Sequence, residues 1–196
     1  MSTNVFKPEA GVSYSAGIAF VSLEKKVPSL LLVLQHAGEK NPQKEGGFFV
    51  EERTWKMPMG HFDPLVDGPL TATALREFAE ETGFVLAKVA LDTELSVSIR
   101  IPSERPGAEF HEDVFFLVVS DKKPRVAKGI VRDKVVECAE WFPLSALPSG
   151  DGARDHGAAM AFGHRKKLAR LFLACQNKKT RDGLEIRKVL AAMVPK

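Results

Sequence analysis

Apolar residues recur at every second position through Val12, Tyr14, Ala16, Ile18 and Phe20, with Ala19 and Val21 on the other side. That period predicts a largely buried strand over residues 12–23. Glu24-Lys25-Lys26 turns the chain, and Ser29 to Gln35 is nearly all apolar, which predicts a second strand. His36 to Gly47 is polar, with Gly, Pro and several charges, and is long enough to suggest binding as well as connection. Lys40 and Lys44 could reach phosphate there, although loop lysines are mostly solvated. Phe48 to Val50 is short and apolar. Phe48 and Phe49 could stack on a base, while alternation along a strand would send at least one ring into the core. Trp55-Lys56-Met57-Pro58-Met59-Gly60 then reads as a strand ended by a Pro/Gly turn.

Asp67-Gly68-Pro69 opens a helix, with Pro69 suited to its first turn, and Gly83 reads as the left-handed residue just past its end. Phe84 to Ala90 and Leu95 to Ile101 read as strands, and Pro102 to Asp113 as a long loop carrying Glu109, His111, Glu112 and Asp113. Val114 to Val119 predicts a buried strand, Asp121 to Lys128 a solvated basic loop, and Val131 to Cys138 another strand. Pro148 to Gly157 is a loop rich in Gly and Asp. Two helices follow, about Ala158 to Gln176 and Leu184 to Met193, whose Phe162, Leu168, Leu171, Phe172, Ile186, Val189 and Leu190 are core or dimer positions.

Composition narrows the picture. The 196 residues suit one domain, or one domain with a helical appendage, and a formal charge of +3 is too mild to name nucleic acid as a partner. Cys138 and Cys175 lie far apart with no metal-ligand spacing, which predicts free thiols in a reducing cytoplasm. The densest apolar run, Leu30 to Leu34, is too short to span a bilayer, and Met1 to Gly11 does not read as a signal peptide. A soluble protein is expected.

The candidate chemistry lies in Arg76-Glu77-Phe78-Ala79-Glu80-Glu81-Thr82-Gly83. On a helix, Arg76, Glu80, Glu77 and Glu81 share an arc of about 140°. Glu80 and Glu81 occupy the last turn, where the macrodipole disfavours negative charge by about 0.3 to 1 kcal/mol each. Glu77 and Glu81 repel at i,i+4 by about 0.2 to 0.5 kcal/mol. A solvated acidic face explains such a run without function. A hard divalent cation explains why the repulsion is retained, since Mg²⁺ takes carboxylate oxygens and keeps positions for water and substrate phosphates.

The stretch from Arg76 to Phe84 resembles the second half of the Nudix hydrolase box, with Phe78 and Phe84 in aliphatic slots. The first half departs from the pattern: Gly60 lies two positions further from Arg76 than the pattern asks, and Gly68 stands where the family has Glu. A loop two residues longer accounts for this, with Asp63 or Asp67 replacing the missing acid. Ala139 to Pro148, with Trp141, looks like the strand and short helix that close many Nudix domains.

The resemblance implies an α/β fold, a mixed sheet sandwiched between helices, with additional C-terminal helices. It implies a tail over residues 1–11, a domain over 12–148, and 149–196 packed on that domain or at a homodimer interface. It also implies Mg²⁺-dependent hydrolysis of a diphosphate bond in a nucleoside diphosphate linked to another group, with Mn²⁺ as the alternative ion. Glu77, Glu80 and Glu81 would hold the metal. One of them, or Glu112 from the loop, would take the proton from water, helped by crowding of carboxylates. Arg76 would orient a glutamate, Gly60 would allow close backbone approach, and Arg53 and Lys56 would contact phosphate. The partner would be a nucleotide-type small molecule, with RNA ends as the one nucleic-acid case and no membrane. The alternative is a Nudix-like module that binds a nucleotide or protein without hydrolysis, favoured by the altered first half of the box.

Overall fold

The computed structural model describes residues 6–24, 27–36, 53–87, 91–104, 106–126, 136–151, 156–180 and 183–191. Among the described residues, seven strands form one mixed sheet: β1 (Val12–Ser22), β2 (Ser29–His36), β3 (Arg53–Lys56), β4 (Met59–His61), β5 (Ser96–Pro102), β6 (Phe110–Ser120) and β7 (Val136–Pro143). The helices are α1 (Leu70–Thr82), α2 (Phe162–Cys175) and α3 (Ile186–Ala191). β1 pairs parallel with β6 over its whole length, and the other pairings are antiparallel.

Between β1 and β2 the sheet splits. The two strands pair only where Val21 and Ser22 meet Leu30 and Ser29. Further along, β2 turns its edge to β3 at Val33–His36, while β1 turns its edge to β4 at Ser15–Gly17. The segment from Arg53 to His61 therefore crosses the split, and Ile18 N–H donates to the Pro58 carbonyl at 3.0 Å to fasten the crossing. Gly60 lies within strand β4 opposite Ala16 rather than in the expected turn, because β1 has a free edge there to take it.

Period-two alternation divides the strands between two cores. Ala16, Ile18, Phe20, Leu31, Val33, Phe116 and Val118 face Ala74 and Phe78 of α1. On the opposite face, Ala19, Val21, Leu30, Leu32, Leu34, Trp55, Phe115 and Leu117 meet Leu168, Leu171 and Phe172 of α2 and Ile186 and Val189 of α3. The sheet is thus covered on both faces by helices, as the family resemblance implies.

Three further segments differ from expectation. Phe84 to Leu86, expected as part of a strand, is irregular; Phe84 packs edge-on to Phe78 at 6.5 Å while Val85 points to solvent, so the alternation comes from capping the helix end. The expected loop from Pro102 to Asp113 is shorter, since β5 runs to Pro102 and β6 starts at Phe110, so that Glu112 stands in a strand opposite Arg100 and Tyr14. The helix expected from Ala158 starts at Phe162, because Ala159 and Met160 bridge to Ser149 and Trp55. Lys40, Lys44, Phe48 and Phe49 lie outside the described residues.

Candidate active site

Helix α1 starts after Pro69, whose backbone is extended, and ends at Gly83, left-handed at φ 68° with its N–H donating to Ala79 O at 2.9 Å. Its buried residues Thr73, Ala74, Phe78 and Thr82 turn to the sheet. The 100° periodicity then leaves Arg76, Glu77, Glu80 and Glu81 along the flank facing the 53–61 crossing.

Arg76 is the hub. Its guanidinium grips Asp67 with two bonds, Nε to Oδ1 at 3.0 Å and Nη2 to Oδ2 at 2.9 Å. Nη1 reaches Glu77 Oε1 at 2.6 Å and Glu80 Oε2 at 3.2 Å, and Nη2 also donates to the His61 carbonyl at 3.0 Å. Of the two acids offered for the first half of the box, Asp67 is the one that Arg76 holds. Its side chain is almost wholly buried, and although burial pushes its carboxyl up, the bonds from Arg76 and the Asp63 N–H outweigh this and hold it below the usual range. The sequence offered two candidates, Asp63 and Asp67; Asp63 instead closes the intervening turn, its carbonyl accepting from Asp67 N–H at 2.7 Å.

Glu77 lies flat against the backbone of Gly60, where a β-carbon would come within 2.0 Å of its carboxyl carbon. Burial raises its proton affinity, with Arg76 opposing. Glu80 is the most exposed of the three. Glu81 is the deepest, with a side chain 10% exposed, Oε1 facing Lys56 Nζ at 3.3 Å and Oε2 accepting the Met59 N–H at 2.9 Å. Its carboxyl is pushed up to about 7, first by burial, with Glu77 adding to the rise and Lys56 and Met59 N–H opposing it. Crowding of carboxylates, expected from the sequence to raise a carboxyl here, is the smaller cause, and burial is the larger.

The remaining candidates divide. Lys56 is in the site. Arg53, three positions away on the same strand, points to the opposite face, where its Nε donates to Glu137 at 2.6 Å and its Nη1 to the His156 carbonyl at 3.0 Å. Glu112 is held by Ser98 and by Arg100 at 2.8 and 3.0 Å on β5; burial pushes its carboxyl up, but these bonds prevail and keep it below the usual range.

A polar cluster that the sequence did not predict lies on the α2 face. Ser15 Oγ is 2.6 Å from His61 Nδ1 and 3.2 Å from His111 Nε2, while the buried Asp113 meets Lys167 Nζ at 2.7 Å. Asp113 Oδ1 reaches the same His111 Nε2 at 3.1 Å. On the other ring nitrogen, His111 Nδ1 lies 2.7 Å from Ser13 Oγ. Only strand pairing at long range, Ser15 with His61 and with Asp113, assembles it.

Comparison with known proteins bears on the fold. The solved structure of a MutT/nudix family protein from Enterococcus faecalis superposes with a TM-score of 0.60 at 17% identity, covering 94% of this chain and 70% of that one. The NUDIX domain of Shewanella oneidensis NrtR, solved with ADP ribose, gives 0.53 at 19% identity over 85% of this chain and 87% of that one. A bifunctional NMN adenylyltransferase/ADP ribose pyrophosphatase from Francisella tularensis, solved with AMP and a Mn ion, gives 0.53 at 17% identity over 86% of this chain and 43% of that one. At these identities the likeness is one of fold. No curated protein matches the chain. The family profile of the NUDIX domain matches residues 14–162, a stretch that holds the sheet, α1 and every acid described above, and the chain belongs to that family.

Proposed function

We propose that the protein is a divalent-metal-dependent hydrolase of the diphosphate bond in a nucleoside diphosphate linked to another group. The observation that carries this reading is the pair Glu77 and Glu81, lodged against the backbone of Gly60 and Met59 at the end of α1. A surface helix has no reason to drive a carboxylate into a space that exists only because residue 60 lacks a side chain.

The donor set suits a hard cation, since Glu77, Glu80 and Glu81 offer oxygen alone. These three would hold Mg²⁺, or Mn²⁺ in its place. When bound, such an ion neutralises the diphosphate and lowers the charge barrier to attack on phosphorus. The chain's own residues do the rest. Arg76, fixed by Asp67, sets the orientation of Glu77 and Glu80. Glu81 is anchored through Oε2, which leaves Oε1 to take the proton as water adds to one phosphorus and the bridging oxygen departs with the other phosphate. Lys56 lies beside that oxygen and balances its charge. Glu112, tied to Ser98 and Arg100 with a lowered proton affinity, suits the base role less well than Glu81.

Nucleotide chemistry is supported by the ADP ribose and AMP held in the two related structures. The experiment is a phosphate-release screen of the purified chain over nucleoside triphosphates, nucleotide sugars, ADP-ribose, dinucleoside polyphosphates and capped RNA, each with Mg²⁺ and with EDTA. Hydrolysis of one class that vanishes with EDTA is expected. Failure on every class, with binding of a nucleotide intact, would transfer the reading to a binding module.

A further inference from the structure

Among the described residues, one set of three metal-ligand-type atoms converges within 4.8 Å, and it is not on the acid helix. It comprises Cys138 and Glu140 on β7 and His156 beyond it, on the α2 face of the sheet. We propose that Cys138, Glu140 and His156 form a second metal site, for a zinc-type divalent cation held by three protein ligands with a fourth position open to solvent.

The sheet supplies two of the ligands. Cys138 and Glu140 are two apart on β7, so both project to one face, opposite Leu34 and Leu32 of β2. The third is brought by an unusual backbone. His156 has φ 51° and is the one non-glycine with positive φ among the described residues, an uncommon conformation for a side-chain-bearing residue. Its main chain is pinned, since its carbonyl accepts from Arg53 Nη1 at 3.0 Å and Arg53 is itself clamped by Glu137. The ring, tilted beside Trp55 at 5.9 Å between centroids, then brings Nε2 to 3.0 Å from Glu140 Oε1.

The three ligand atoms lie within 4.8 Å of one another, and bonds of 2.0 to 2.3 Å to a tetrahedral ion would set them about 3.3 to 3.8 Å apart. Sulfur, imidazole nitrogen and one carboxylate oxygen form a set suited to zinc and unsuited to Mg²⁺, so the site does not duplicate the oxygen-only cluster of Glu77, Glu80 and Glu81. Binding would be coupled to a proton: the sulfur–metal bond forms as the Cys138 thiol proton leaves to solvent, so binding tightens as pH rises.

The test uses the full chain, stripped of metal and kept in excess Mg²⁺, titrated with Co²⁺ as a spectroscopic stand-in for zinc. A thiolate-to-cobalt charge-transfer band should appear, saturate at one equivalent, and disappear when Zn²⁺ is added. Cys138→Ser should abolish it, whereas Glu81→Gln should leave it in place. Glu140→Gln and His156→Ala change exposed side chains and so leave the fold intact. Each should weaken Co²⁺ binding roughly tenfold or more, the loss seen even for outer hydrogen-bond partners of metal ligands. No band in the native chain, a band that survives Cys138→Ser, or unchanged affinity in both Glu140→Gln and His156→Ala would overturn the proposal.

Discussion

Gly60 and Glu77 occupy a single space: a β-carbon on residue 60 would stand 2.0 Å from the Glu77 carboxyl carbon and 2.1 Å from Oε2. The intruded group is the end of a flexible side chain, so Gly60→Ala should displace the carboxylate rather than unfold the strand. Hydrolysis should fall by more than tenfold, the equivalent of about 1.4 kcal/mol in the barrier, while the melting temperature stays near that of the native chain. Parallel melts and rate measurements check this; a lower melting temperature with an undiminished rate would show that Glu77 is not needed in that place.

Glu81 predicts a pH dependence of stability in the metal-free protein. Its carboxyl is raised from 4.5 to about 7 by folding, so between these values the native state binds more protons than the unfolded chain, and stability falls as pH rises through this window. Glu81→Gln cannot ionise and should lack that fall. Denaturant titrations in EDTA should show the mutant gaining on the native chain between pH 4.5 and 7, by on the order of 1 to 3 kcal/mol. Two curves that run parallel would mean that Glu81 titrates normally.

Metal should reverse that order. At pH 7.5 Mg²⁺ at a hundredfold excess over Kd should stabilise the native chain by about 2.7 kcal/mol, and Glu81→Gln should lose most of this gain. Thermal melts at constant ionic strength measure both. Equal shifts in the two proteins would remove Glu81 from the metal site.

Arg76 and Asp67 should behave as one unit, since the buried carboxylate takes two guanidinium bonds. Arg76→Lys supplies a point charge in place of a planar fork and should lose stability on the order of 1 to 2 kcal/mol. Asp67→Asn should cost a similar amount, and the double variant little more than either alone. A double-mutant cycle gives the coupling directly; additive losses would dissolve the clamp.

Arg53 offers the opposite case. Because it is engaged by Glu137 and His156 on the far face, Arg53→Met should leave KM unchanged and lower stability by no more than about 1 kcal/mol, as for a partly exposed ion pair. A rise in KM would return Arg53 to the substrate.

The long strand β1 and the acid helix were legible in the sequence because each rests on a short-range period: two for β1 from Val12 to Phe20, and the 100° turn that aligns Arg76, Glu77, Glu80 and Glu81 on α1. Gly83 could be read as the helix stop for the same reason, since a left-handed cap is a property of one residue and its neighbours. What the sequence could not contain is the split between β1 and β2, which lets residues 53–61 cross to α1 and sets Gly60 on Glu77 and Lys56 on Glu81. The pairing of Arg76 with Asp67, the placing of Glu112 in a strand beside Arg100, the turning of Arg53 away from the acids, and the meeting of Cys138 with His156 were decided in the same way. Periodicity is local, but burial and charge pairing depend on which distant segment closes over a side chain, and the rise of Glu81 to about 7 is the result of that closure.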